Sequence, residues 1–494
     1  MSGLHVIGRW LDDRRRNTPE RVAIDCAGVT VTYDELGSRS ERMAGALAER
    51  RVAHGDRVAT LTANSPDHAA LLFACARLGV ALQPLNWRLA PAEIRYQLDD
   101  AEPAVLVVAP DHDQLAEQSG GRARRVSFEE LDSDTVVPEV DVRDDDPLLI
   151  SYTSGTTGKP KGAVLTHANC FWTNLSFDRT SGITDDDIVL QVLPQFHSGG
   201  WNVQPLLAWW KGATVVLEPS FDPGNSLRLI QERRVTTMMG VPATYLFMAE
   251  QSEFATADLS SLRLAVVGGA PMPENLLRTW QERGVAIVQG YGLTEAAPNV
   301  LCLAPEDAAR KLGYAGKPYP HVDVALRDVE SGIHLGGPAT GELLVRGPNV
   351  FAGYWRNPEA TNEAFADGWL RTGDLAERDR EGYYRIVGRL KELVISGGEN
   401  VYPVEIEDVL HAHRAVAEAA VIGVPDERWG EACLAFVVLK EGGTADAEEL
   451  LEWCRARLAR FKVPKEVRFV DALPRSAMNK VLKDELQAAA EVAQ

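Results

Sequence analysis

Short apolar runs rich in β-branched residues alternate along most of the chain with stretches that have helical spacing. The clearest runs are RVATL at 57–61, AVLVVA at 104–109, ATVVLE at 213–218 and LRLAVVGG at 262–269. Because these runs are apolar at successive positions, both faces of each strand are predicted to be buried, which is typical of sheets covered by helices. The pattern therefore predicts an α/β fold with a large N-terminal body of layered subdomains.

Two later regions have a different pattern of residues. Between 341 and 389, glycine and aromatic residues punctuate short strands such as GELLVRG and GYYRIVGR, which predicts a small antiparallel, β-barrel-like unit. The C-terminal part alternates a helix (EIEDVLHAH), two strands (AEAAVIGVPD and EACLAFVVLK) and a helix at 447–461. We predict an N-terminal domain over 1–388, a hinge over 389–391 and a smaller, mobile α+β C-terminal domain over 392–494.

Composition and charge restrict the function without identifying it. The 494 residues include 51 Lys and Arg against 71 Asp and Glu, a formal net charge of −20, so binding to nucleic acid through phosphate contacts is not expected. The six cysteines are scattered without a C-x-x-C pair, which disfavours a zinc site or a redox pair. The sequence has no signal-peptide pattern and no stretch apolar enough to span a membrane. We therefore expect a cytoplasmic protein, with a homodimer left open.

The segment YTSGTTGKPKG at 152–162 carries the strongest local chemistry. It lies between two predicted strands, and it combines glycines, hydroxyl groups and one lysine, which together suit a polyphosphate. It is not a Walker A loop, because Pro160 and a strand follow the lysine instead of a hydroxyl residue and a helix. A solvated turn is the alternative, which this density of hydroxyls disfavours. The candidate phosphate-binding residues are Thr153, Ser154, Gly155, Thr156, Thr157, Gly158 and Lys159.

Five further segments follow the loop in order: VGGAPMP, QGYGLTE, GWLRTGDLA, GRLKELVISGGENVYPVEIE and PRSAMNK. With them, the sequence resembles the adenylate-forming superfamily of acyl-CoA synthetases, adenylation domains and luciferases over nearly its whole length. The resemblance implies that a carboxylate attacks the α-phosphate of ATP, giving an acyl-adenylate and pyrophosphate. A thiol, usually that of coenzyme A, then displaces AMP to give a thioester. ATP, Mg²⁺, coenzyme A and a small-molecule carboxylic acid are the ligands implied.

The resemblance assigns nucleotide contacts within two of these segments. Tyr291 would stack on adenine, Thr294 would contact the α-phosphate, and Glu295 would hold Mg²⁺, which prefers carboxylate and phosphate oxygens. Standing alone, QGYGLTE would read equally well as a loop with a half-buried tyrosine. The remaining residues that would line the base pocket are Gly269, Ala270, Pro271, Gln289, Gly290 and Gly292.

Other nucleotide contacts are implied further along the chain. Asp374 would accept hydrogen bonds from the ribose, with Arg389 beside it, although an aspartate after glycine is also a common turn or cap residue. Lys480 would bridge the attacking carboxylate and the α-phosphate, whereas a solvated lysine is the alternative. Asn479 stands where the superfamily usually has glycine, and whether Lys480 is regulated by acylation is left open.

The second half-reaction is expected to use a different face of the C-terminal domain. By resemblance, the loop ISGGEN and a tryptophan in ERWGE would border the pantetheine arm of coenzyme A, and Lys391 would be the hinge whose rotation exchanges this face for Lys480. The predicted coenzyme A contacts are Ser396, Gly397, Gly398, Glu399 and Trp429.

The acid is expected to bind beside LPQFHSGGW at 193–201. His197 would lie beside the acyl carboxylate, and the absence of an acid after Phe196 disfavours an amino acid substrate. Trp201 resembles a gate on a fatty-acid tunnel. It could instead narrow the pocket or belong to the core. Gly292 and Ala296 would complete the pocket.

A medium- to long-chain fatty acid is our first expectation for the acid. An aryl or hydroxycinnamic acid such as ferulate is the alternative, and the absence of a prominent Arg or Lys in the pocket segments disfavours a dicarboxylate. A carrier-protein-loading adenylation enzyme and a non-catalytic binder are further alternatives.

Overall fold

The computed structural model describes residues 3–137, 139–153, 159–396, 399–426, 429–475 and 481–492. Spatial clustering divides the chain into two compact units, which are described separately. The first comprises Met1–Met272, Leu276–Val324 and Val345–Leu370, and the second comprises Pro273–Asn275, Ala325–Leu344 and Arg371–Gln494. Several predicted site residues lie outside the described residues: Ser154, Gly155, Thr156, Thr157, Gly158, Gly397, Gly398 and Lys480.

Helices and strands are numbered along the chain. The helices are α1 (Gly8–Asn17), α2 (Tyr33–Glu49), α3 (Pro66–Leu78), α4 (Pro91–Ala101), α5 (Asp113–Ser119), α6 (His167–Ser181), α7 (Gly199–Asn202), α8 (Pro205–Lys211), α9 (Pro223–Glu232), α10 (Pro242–Ala249), α11 (Glu274–Glu282), α12 (Pro358–Ala364), α13 (Pro403–His411), α14 (Ala447–Arg455) and α15 (Lys483–Val492).

The strands of the N-terminal part are β1 (Val22–Cys26), β2 (Val29–Thr32), β3 (Arg57–Leu61), β4 (Ala81–Pro84), β5 (Val105–Val108), β6 (Arg124–Ser127), β7 (Pro147–Thr153), β8 (Lys161–Thr166), β9 (Ile188–Gln191), β10 (Thr214–Leu217), β11 (Thr237–Gly240), β12 (Leu264–Val267), β13 (Ile287–Tyr291), β14 (Leu301–Cys302) and β15 (Lys317–Pro318). The later strands are β16 (Asp323–Arg327), β17 (His334–Leu335), β18 (Ala339–Arg346), β19 (Gly353–Tyr354), β20 (Phe365–Ala366), β21 (Trp369–Arg378), β22 (Tyr384–Arg389), β23 (Val394–Ser396), β24 (Glu399–Val401), β25 (Val416–Asp426), β26 (Gly430–Leu439) and β27 (Glu466–Phe469).

Two mostly parallel sheets form the first unit. One has the strand order β19-β8-β7-β4-β3-β5-β6, in which β8 and β19 are antiparallel additions at one edge. The other has the order β15-β14-β13-β12-β11-β9-β10-β1-β2 and is parallel from β13 to β1. The four strands predicted from apolar runs are β3, β5, β10 and β12, and all of them lie in parallel pairs. The α/β body is therefore confirmed.

Helices cover these sheets as the burial pattern requires. Side chains of α9, α10 and α11 form one buried cluster with β9, β11 and β12, in which the indole N–H of Trp280 donates to the Tyr245 carbonyl at 3.1 Å. Helix α3 is buried on nearly all sides, consistent with its almost wholly apolar sequence. The carboxyl ends of β12 and β13 are followed by two of the sequence motifs, and that edge is where ligands bind in open α/β sheets.

Antiparallel strands and a C-terminal sheet make up the second unit. Strands β16, β17, β18, β21 and β22 lie in one sheet, and its antiparallel β21–β22 pair falls within 341–389, where the glycine and aromatic pattern predicts antiparallel strands. The C-terminal sheet has the order β24-β23-β26-β25, with β27 parallel to β26. Alternate residues of β25 and β26 enter two clusters: Val421 and Ala435 pack with α13 and α14, whereas Ile422 and Leu434 pack with α15. Both faces of this sheet are therefore buried.

One boundary differs from that expected. Helix α14 ends at Arg455, before the predicted end at 461, because the amides of Arg457 and Leu458 both donate to the Cys454 carbonyl and close the helix. The strands in 325–344 and 371–388 cluster with the C-terminal residues, and the hinge at 389–391 stays a prediction. Among the described residues, no helix combines the length and apolar character needed to cross a membrane.

Candidate active site

Strand β7 brings the start of the predicted phosphate loop to Glu295. The Thr153 hydroxyl, at the end of β7, donates to Glu295 Oε1 at 3.2 Å. Thr153 ends β7, whereas Glu295 lies in the short turn that follows β13 of the other sheet, and the two residues are 142 positions apart in the sequence. The structure therefore joins two separate motifs, the hydroxyl-rich loop and QGYGLTE, at one carboxylate.

Tyr354 was not predicted to belong to this site. Its hydroxyl donates to the same Glu295 Oε1 at 2.9 Å, and Lys161 Nζ lies 5.3 Å from the centre of its ring. Burial and the adjacent Glu295 carboxylate both raise the pKa of Tyr354, so the phenol keeps its proton. Its sequence signal is a tyrosine after Gly353 in FAGYW, which is too weak on its own to assign a role.

The turn that carries Glu295 is fixed on both sides. Its backbone carbonyl accepts a hydrogen bond from the Phe351 amide at 2.9 Å. The side-chain amide of Asn349, which is fully buried, donates to the carbonyls of Ala296 and Asn299 at 2.9 and 3.0 Å. Ala297, with φ at 57°, closes the turn in the left-handed region. The carboxylate is thus presented from a rigid backbone.

The predicted base pocket lies at the carboxyl ends of β12 and β13. Gly269, Ala270 and Pro271 follow β12 and are exposed, as expected of a pocket wall. Tyr291 is half-buried at the end of β13. Gln289 braces the wall: its side-chain oxygen accepts from the Met272 amide at 3.0 Å, and its side-chain nitrogen donates to the Tyr314 carbonyl at 3.2 Å.

Only one of the two glycines in QGYGLTE is required by the packing of the backbone. A Cβ on Gly292 would lie 1.3 Å from the Pro298 carbonyl oxygen, so no other residue fits without moving the backbone. A Cβ on Gly290 would meet its nearest atom, the Leu301 carbonyl oxygen, at 3.5 Å, which is an ordinary contact. Gly292 is therefore required by the fold of the turn itself, in addition to its predicted place beside the adenine and the acid.

The segment predicted to hold the acid is tied to the same turn. The Ser198 hydroxyl donates to Thr294 Oγ1 at 3.3 Å. His197 is half-buried, with its ring 4.6 Å from that of Phe196, and Ala296 is fully buried behind Glu295. Thr294, His197 and Ala296 therefore lie in one neighbourhood of the first unit.

Trp201 is fully buried, and its nearest aromatic neighbour is unexpected. The ring of His68, from α3, meets the indole edge to face at 5.0 Å, and His68 Nε2 is 3.0 Å from the Thr60 hydroxyl. Burial lowers the pKa of His68 to about 3, and the neighbouring Gln195 amide opposes this shift only partly. Within the part of the chain that the structure describes, Trp201 Nε1 and His68 Nδ1 have no hydrogen-bond partner of ordinary geometry.

Trp209 and Trp210, the other tryptophans of this segment, belong to the core. The indole N–H of Trp209, which is fully buried, donates to the Ala23 carbonyl at 3.2 Å. Trp210 stacks on Trp10 with ring centres 4.4 Å apart.

The predicted ribose contacts lie together in the second unit. Asp374 is opposite Arg389 in the β21–β22 register, and Arg389 Nε is 3.4 Å from Asp374 Oδ1. The Asp374 carboxylate is buried, whereas Arg389 is exposed. The Thr372 hydroxyl accepts from the Asp374 amide at 3.0 Å. An aspartate and an arginine held side by side can contact two hydroxyls of a sugar.

The predicted coenzyme A contacts that the structure describes, Ser396, Glu399 and Trp429, lie at one end of the C-terminal sheet. Ser396 pairs with Glu399 and with Gly430 in the register of β23, β24 and β26. Trp429, which precedes Gly430, is exposed, and its amide donates to Asp426 Oδ1 at 3.0 Å. The structure therefore brings Ser396, Glu399 and Trp429 to the same edge.

Lys391, the predicted hinge residue, lies in a short turn at Leu390–Glu392. Its Nζ is exposed and lies 3.9 Å from Asp484 Oδ2, a loose ion pair that a rotation can break. The neighbouring Lys483 is instead held tightly, with Nζ 3.1 Å from Glu392 Oε2 and 2.8 Å from Glu407 Oε1. These contacts tie α15, which follows Lys480, to the C-terminal side of the predicted hinge.

Magnesium fits the donors around Glu295. The described residues contain no group of three or more His, Cys, Asp or Glu side chains that could hold a metal on their own. Mg²⁺ commonly binds through one or two carboxylates and completes its shell with phosphate oxygens and water. A single carboxylate beside a phosphate-binding loop is such a site, and Glu295 is its candidate ligand.

Comparison with protein families decides the identity. The family described as AMP-binding enzyme matches residues 11–355, and the AMP-binding enzyme C-terminal domain matches residues 405–480. The chain belongs to the AMP-binding enzymes. The resemblance drawn from the motifs is therefore confirmed.

Curated relatives of this AMP-binding enzyme are CoA ligases. A feruloyl-CoA synthase of Amycolatopsis sp is 44% identical over 97% of this chain and 98% of its own. An indoleacetate–CoA ligase of Aromatoleum aromaticum is 43% identical over 97% of each chain. The long-chain-fatty-acid–CoA ligase FadD13 of Mycobacterium tuberculosis is 39% identical over 93% of each chain.

Solved structures of similar chains support the same class. ATP-bound MatB from Rhodopseudomonas palustris has a TM-score of 0.92 at 35% identity and covers 99% of both chains. The o-succinylbenzoate coenzyme A synthetase MenE of Bacillus subtilis, in complex with ATP and magnesium ion, has a TM-score of 0.88 at 35% identity, covering 97% of this chain and 98% of that one. This AMP-binding enzyme is an ATP-dependent acyl-CoA ligase that uses ATP and Mg²⁺, with coenzyme A as substrate.

Proposed function

We propose that this AMP-binding enzyme activates an aryl or hydroxycinnamic acid of the ferulate type. The observation that carries the proposal is the complete burial of Trp201 against His68. If Trp201 borders the acyl pocket as proposed, its burial would leave no passage for a fatty-acid chain, so a compact acid would fit better than a long chain. The feruloyl-CoA synthase and indoleacetate–CoA ligase relatives are consistent with this choice.

The polarity around Trp201 supports the same substrate class. A long alkyl chain inserted there would leave Trp201 Nε1 and His68 Nδ1 without the hydrogen-bond partner that both already lack in the described part of the chain. Leaving a buried polar group unpaired costs about 1–3 kcal/mol. A phenol or methoxy oxygen on an aromatic acid could supply a partner instead. The fatty acid expected first from the sequence therefore becomes the second candidate, which the FadD13 relative keeps open.

In the proposed adenylation, Glu295 would hold Mg²⁺, the loop that begins at Thr153 would supply hydroxyl and amide donors to the phosphates of ATP, and Tyr291 would stack on adenine. Bound Mg²⁺ would neutralise charge on the phosphates. Lys480 would hold the carboxylate of the acid against the α-phosphate. Asp374 and Arg389 would hold the ribose, and His197 would lie beside the carboxylate.

In the proposed thioesterification, rotation about Lys391 presents Ser396, Glu399 and Trp429 to the adenylate in place of Lys480. A Lys391→Pro variant should keep acid-dependent pyrophosphate exchange and lose thioester formation, and normal thioester turnover would contradict the hinge. A cytoplasmic location and a homodimer remain predictions.

Substrate profiling tests the choice of acid. AMP formation is measured, with and without coenzyme A, for ferulate, 4-hydroxycinnamate, cinnamate, octanoate and palmitate. We expect the highest kcat/KM for the hydroxycinnamates, and a higher value for 4-hydroxycinnamate than for cinnamate because only the former carries a phenol. A palmitate value above that of ferulate would overturn the proposal. Pyrophosphate release that never yields acyl-CoA would instead support the carrier-loading alternative.

A further inference from the structure

We infer that Tyr354 is a positioning residue for the metal: its hydroxyl, together with that of Thr153, fixes the orientation in which the Glu295 carboxylate meets Mg²⁺. The inference rests on the proposed role of Glu295 as the metal ligand. It adds a residue that no motif of the sequence marks. Tyr354 itself would contact neither metal nor nucleotide.

Both hydroxyl donors converge on one oxygen atom. Thr153 Oγ1 is 3.2 Å and the Tyr354 hydroxyl 2.9 Å from Glu295 Oε1. Within the described part of the chain, Oε2 receives no such side-chain donor. A carboxylate whose one oxygen accepts two hydrogen bonds cannot rotate freely about its terminal bond. The two donors therefore leave Oε2 as the oxygen that is available to a cation.

The backbone around Tyr354 is fixed independently of Glu295. Strand β19 pairs with β8, so that Tyr354 lies opposite Ala163, and the Trp355 amide donates to the Gly162 carbonyl at 2.7 Å. The Tyr354 amide donates to the Thr361 hydroxyl at 2.9 Å. The tyrosine therefore reaches Glu295 from a strand that is already anchored.

The same strands border the phosphate loop. The loop connects β7 to β8, Thr153 ends β7, and Tyr354 lies on β19, the strand paired with β8. Thr153 and Tyr354 therefore lie on the strands at either end of that loop, so both donors would reach Glu295 from beside the predicted phosphate site.

The ring of Tyr354 is held as well as its hydroxyl. Phe351 packs edge to face against it with ring centres 4.9 Å apart, and Lys161 Nζ lies over it at 5.3 Å. Its hydroxyl donates to the Glu295 carboxylate. Partners that orient a metal ligand in this way typically change metal affinity by roughly 10- to 100-fold when they are removed.

Binding of Mn²⁺, as a spectroscopic substitute for Mg²⁺, tests the inference without relying on turnover. Electron paramagnetic resonance measures the free Mn²⁺ remaining with the full chain and α,β-methylene-ATP, in the absence of acid. For Tyr354→Phe, we expect the dissociation constant of Mn²⁺ to rise roughly tenfold. The Mg²⁺ concentration for half-maximal activity should rise in parallel, while KM for the acid stays unchanged.

Tyr33→Phe is a matched control for loss of a phenol. The Tyr33 hydroxyl is fully buried and donates to the Ala213 carbonyl at 2.7 Å, so its removal lowers stability without reaching Glu295. We expect this variant to bind Mn²⁺ like the unmodified protein.

Glu295→Gln distinguishes a failure of the positioning role of Tyr354 from a failure of the metal-ligand role of Glu295. Weak Mn²⁺ binding by Glu295→Gln with normal binding by Tyr354→Phe would overturn the positioning role and leave the ligand role of Glu295 intact. Normal binding by Glu295→Gln would overturn that ligand role and the inference with it. An equal loss in Tyr354→Phe and Tyr33→Phe would show a general structural effect and would also contradict the inference.

Discussion

The Glu295 carboxylate is paired with neighbouring side chains, whereas two buried nitrogen atoms, one of Trp201 and one of His68, are not. Glu295 Oε1 accepts from Thr153 and Tyr354, and its backbone carbonyl accepts from Phe351. In the described part of the chain, Trp201 Nε1 and the neighbouring His68 Nδ1 have no such partner. Both regions belong to the first unit, and they are joined by the Ser198–Thr294 contact at 3.3 Å.

We relate this difference to the ligands: the region around Glu295 is proposed to bind ATP and Mg²⁺, whereas the region around Trp201 is proposed to bind the acid. ATP and Mg²⁺ are the same for every acid, so their site can be organised completely by the protein before they bind. The acid differs between ligases, and buried groups left without partners discriminate most strongly between acids that satisfy them and acids that do not. We therefore expect substitutions near Glu295 to act on adenylation in general and those near Trp201 to act on the choice of acid.

The largest effect is expected from Lys480→Ala, which removes the one cation proposed to approach the nucleotide side from the C-terminal domain. Acid-dependent ATP–pyrophosphate exchange should fall roughly 10²–10³-fold for every acid, because a preorganised charge at the reacting phosphate is lost. Lys440→Ala, at an exposed lysine of the same domain, should exchange at the normal rate. A loss of exchange with only some acids would show that Lys480 contributes to the choice of acid and not to adenylation in general.

Gly292→Ala tests whether adenylation depends on the backbone conformation of the turn that carries Glu295. A Cβ there would lie 1.3 Å from the Pro298 carbonyl oxygen, so the turn that carries Glu295 must shift, at a cost of about 3 kcal/mol. We expect a clear fall in the thermal unfolding midpoint together with lost adenylation. Gly290→Ala is the matched variant, since its Cβ has room, and its midpoint should stay close to normal. Equal midpoints for the two variants would refute this account.

His68 should make the folded protein less stable at low pH. Burial holds the pKa of its imidazole at about 3 in the folded protein, against about 6.5 when unfolded, so between these values only the unfolded chain is protonated. Stability should therefore fall as the pH drops from about 6.5 towards 3, by about 2 kcal/mol between pH 7 and pH 5. Unfolding midpoints of the unmodified protein and of His68→Gln at the two pH values measure this. The same pH-dependent loss in both proteins would contradict the prediction.

Trp201→Ala is expected to have the smallest effect on rate and the most selective one. Opening the wall beside His68 should raise the ratio of kcat/KM for octanoate to that for ferulate roughly tenfold. Trp209→Phe provides the control, because Trp209 is buried in the core with its indole N–H bonded to the Ala23 carbonyl. It should reduce stability and leave the ratio unchanged. An unchanged ratio in Trp201→Ala would show that Trp201 does not limit the acyl pocket.

Much of the fold and the outline of the site could be predicted from the sequence. The apolar runs at β3, β5, β10 and β12 identify strands because burial on both faces leaves a direct trace in composition. The motif order identifies the family because glycines, hydroxyls and charged residues are needed at fixed local spacings. The end of α14 at Arg455 was missed, since helical spacing continues beyond the residues whose amides close the helix.

Contacts between distant segments could not be predicted. Tyr354 is 59 positions from Glu295, and it reaches that residue only because β19 pairs with β8. His68, on α3, meets Trp201, on α7, although these two helices are far apart in the sequence. Nothing in the local sequence of either pair marks the partner.

The sequence by itself determined the α/β class, the family and the residue types that handle ATP, Mg²⁺ and coenzyme A, because these depend on local patterns and on chemistry carried by single side chains. The tertiary structure decided how the Glu295 carboxylate is oriented and which polar atoms lie beside the predicted acyl pocket. The physical reason is that hydrogen-bond partners and unpaired buried groups arise from strand pairing and packing between segments far apart in the chain, and the free energy of those contacts depends on distance in space.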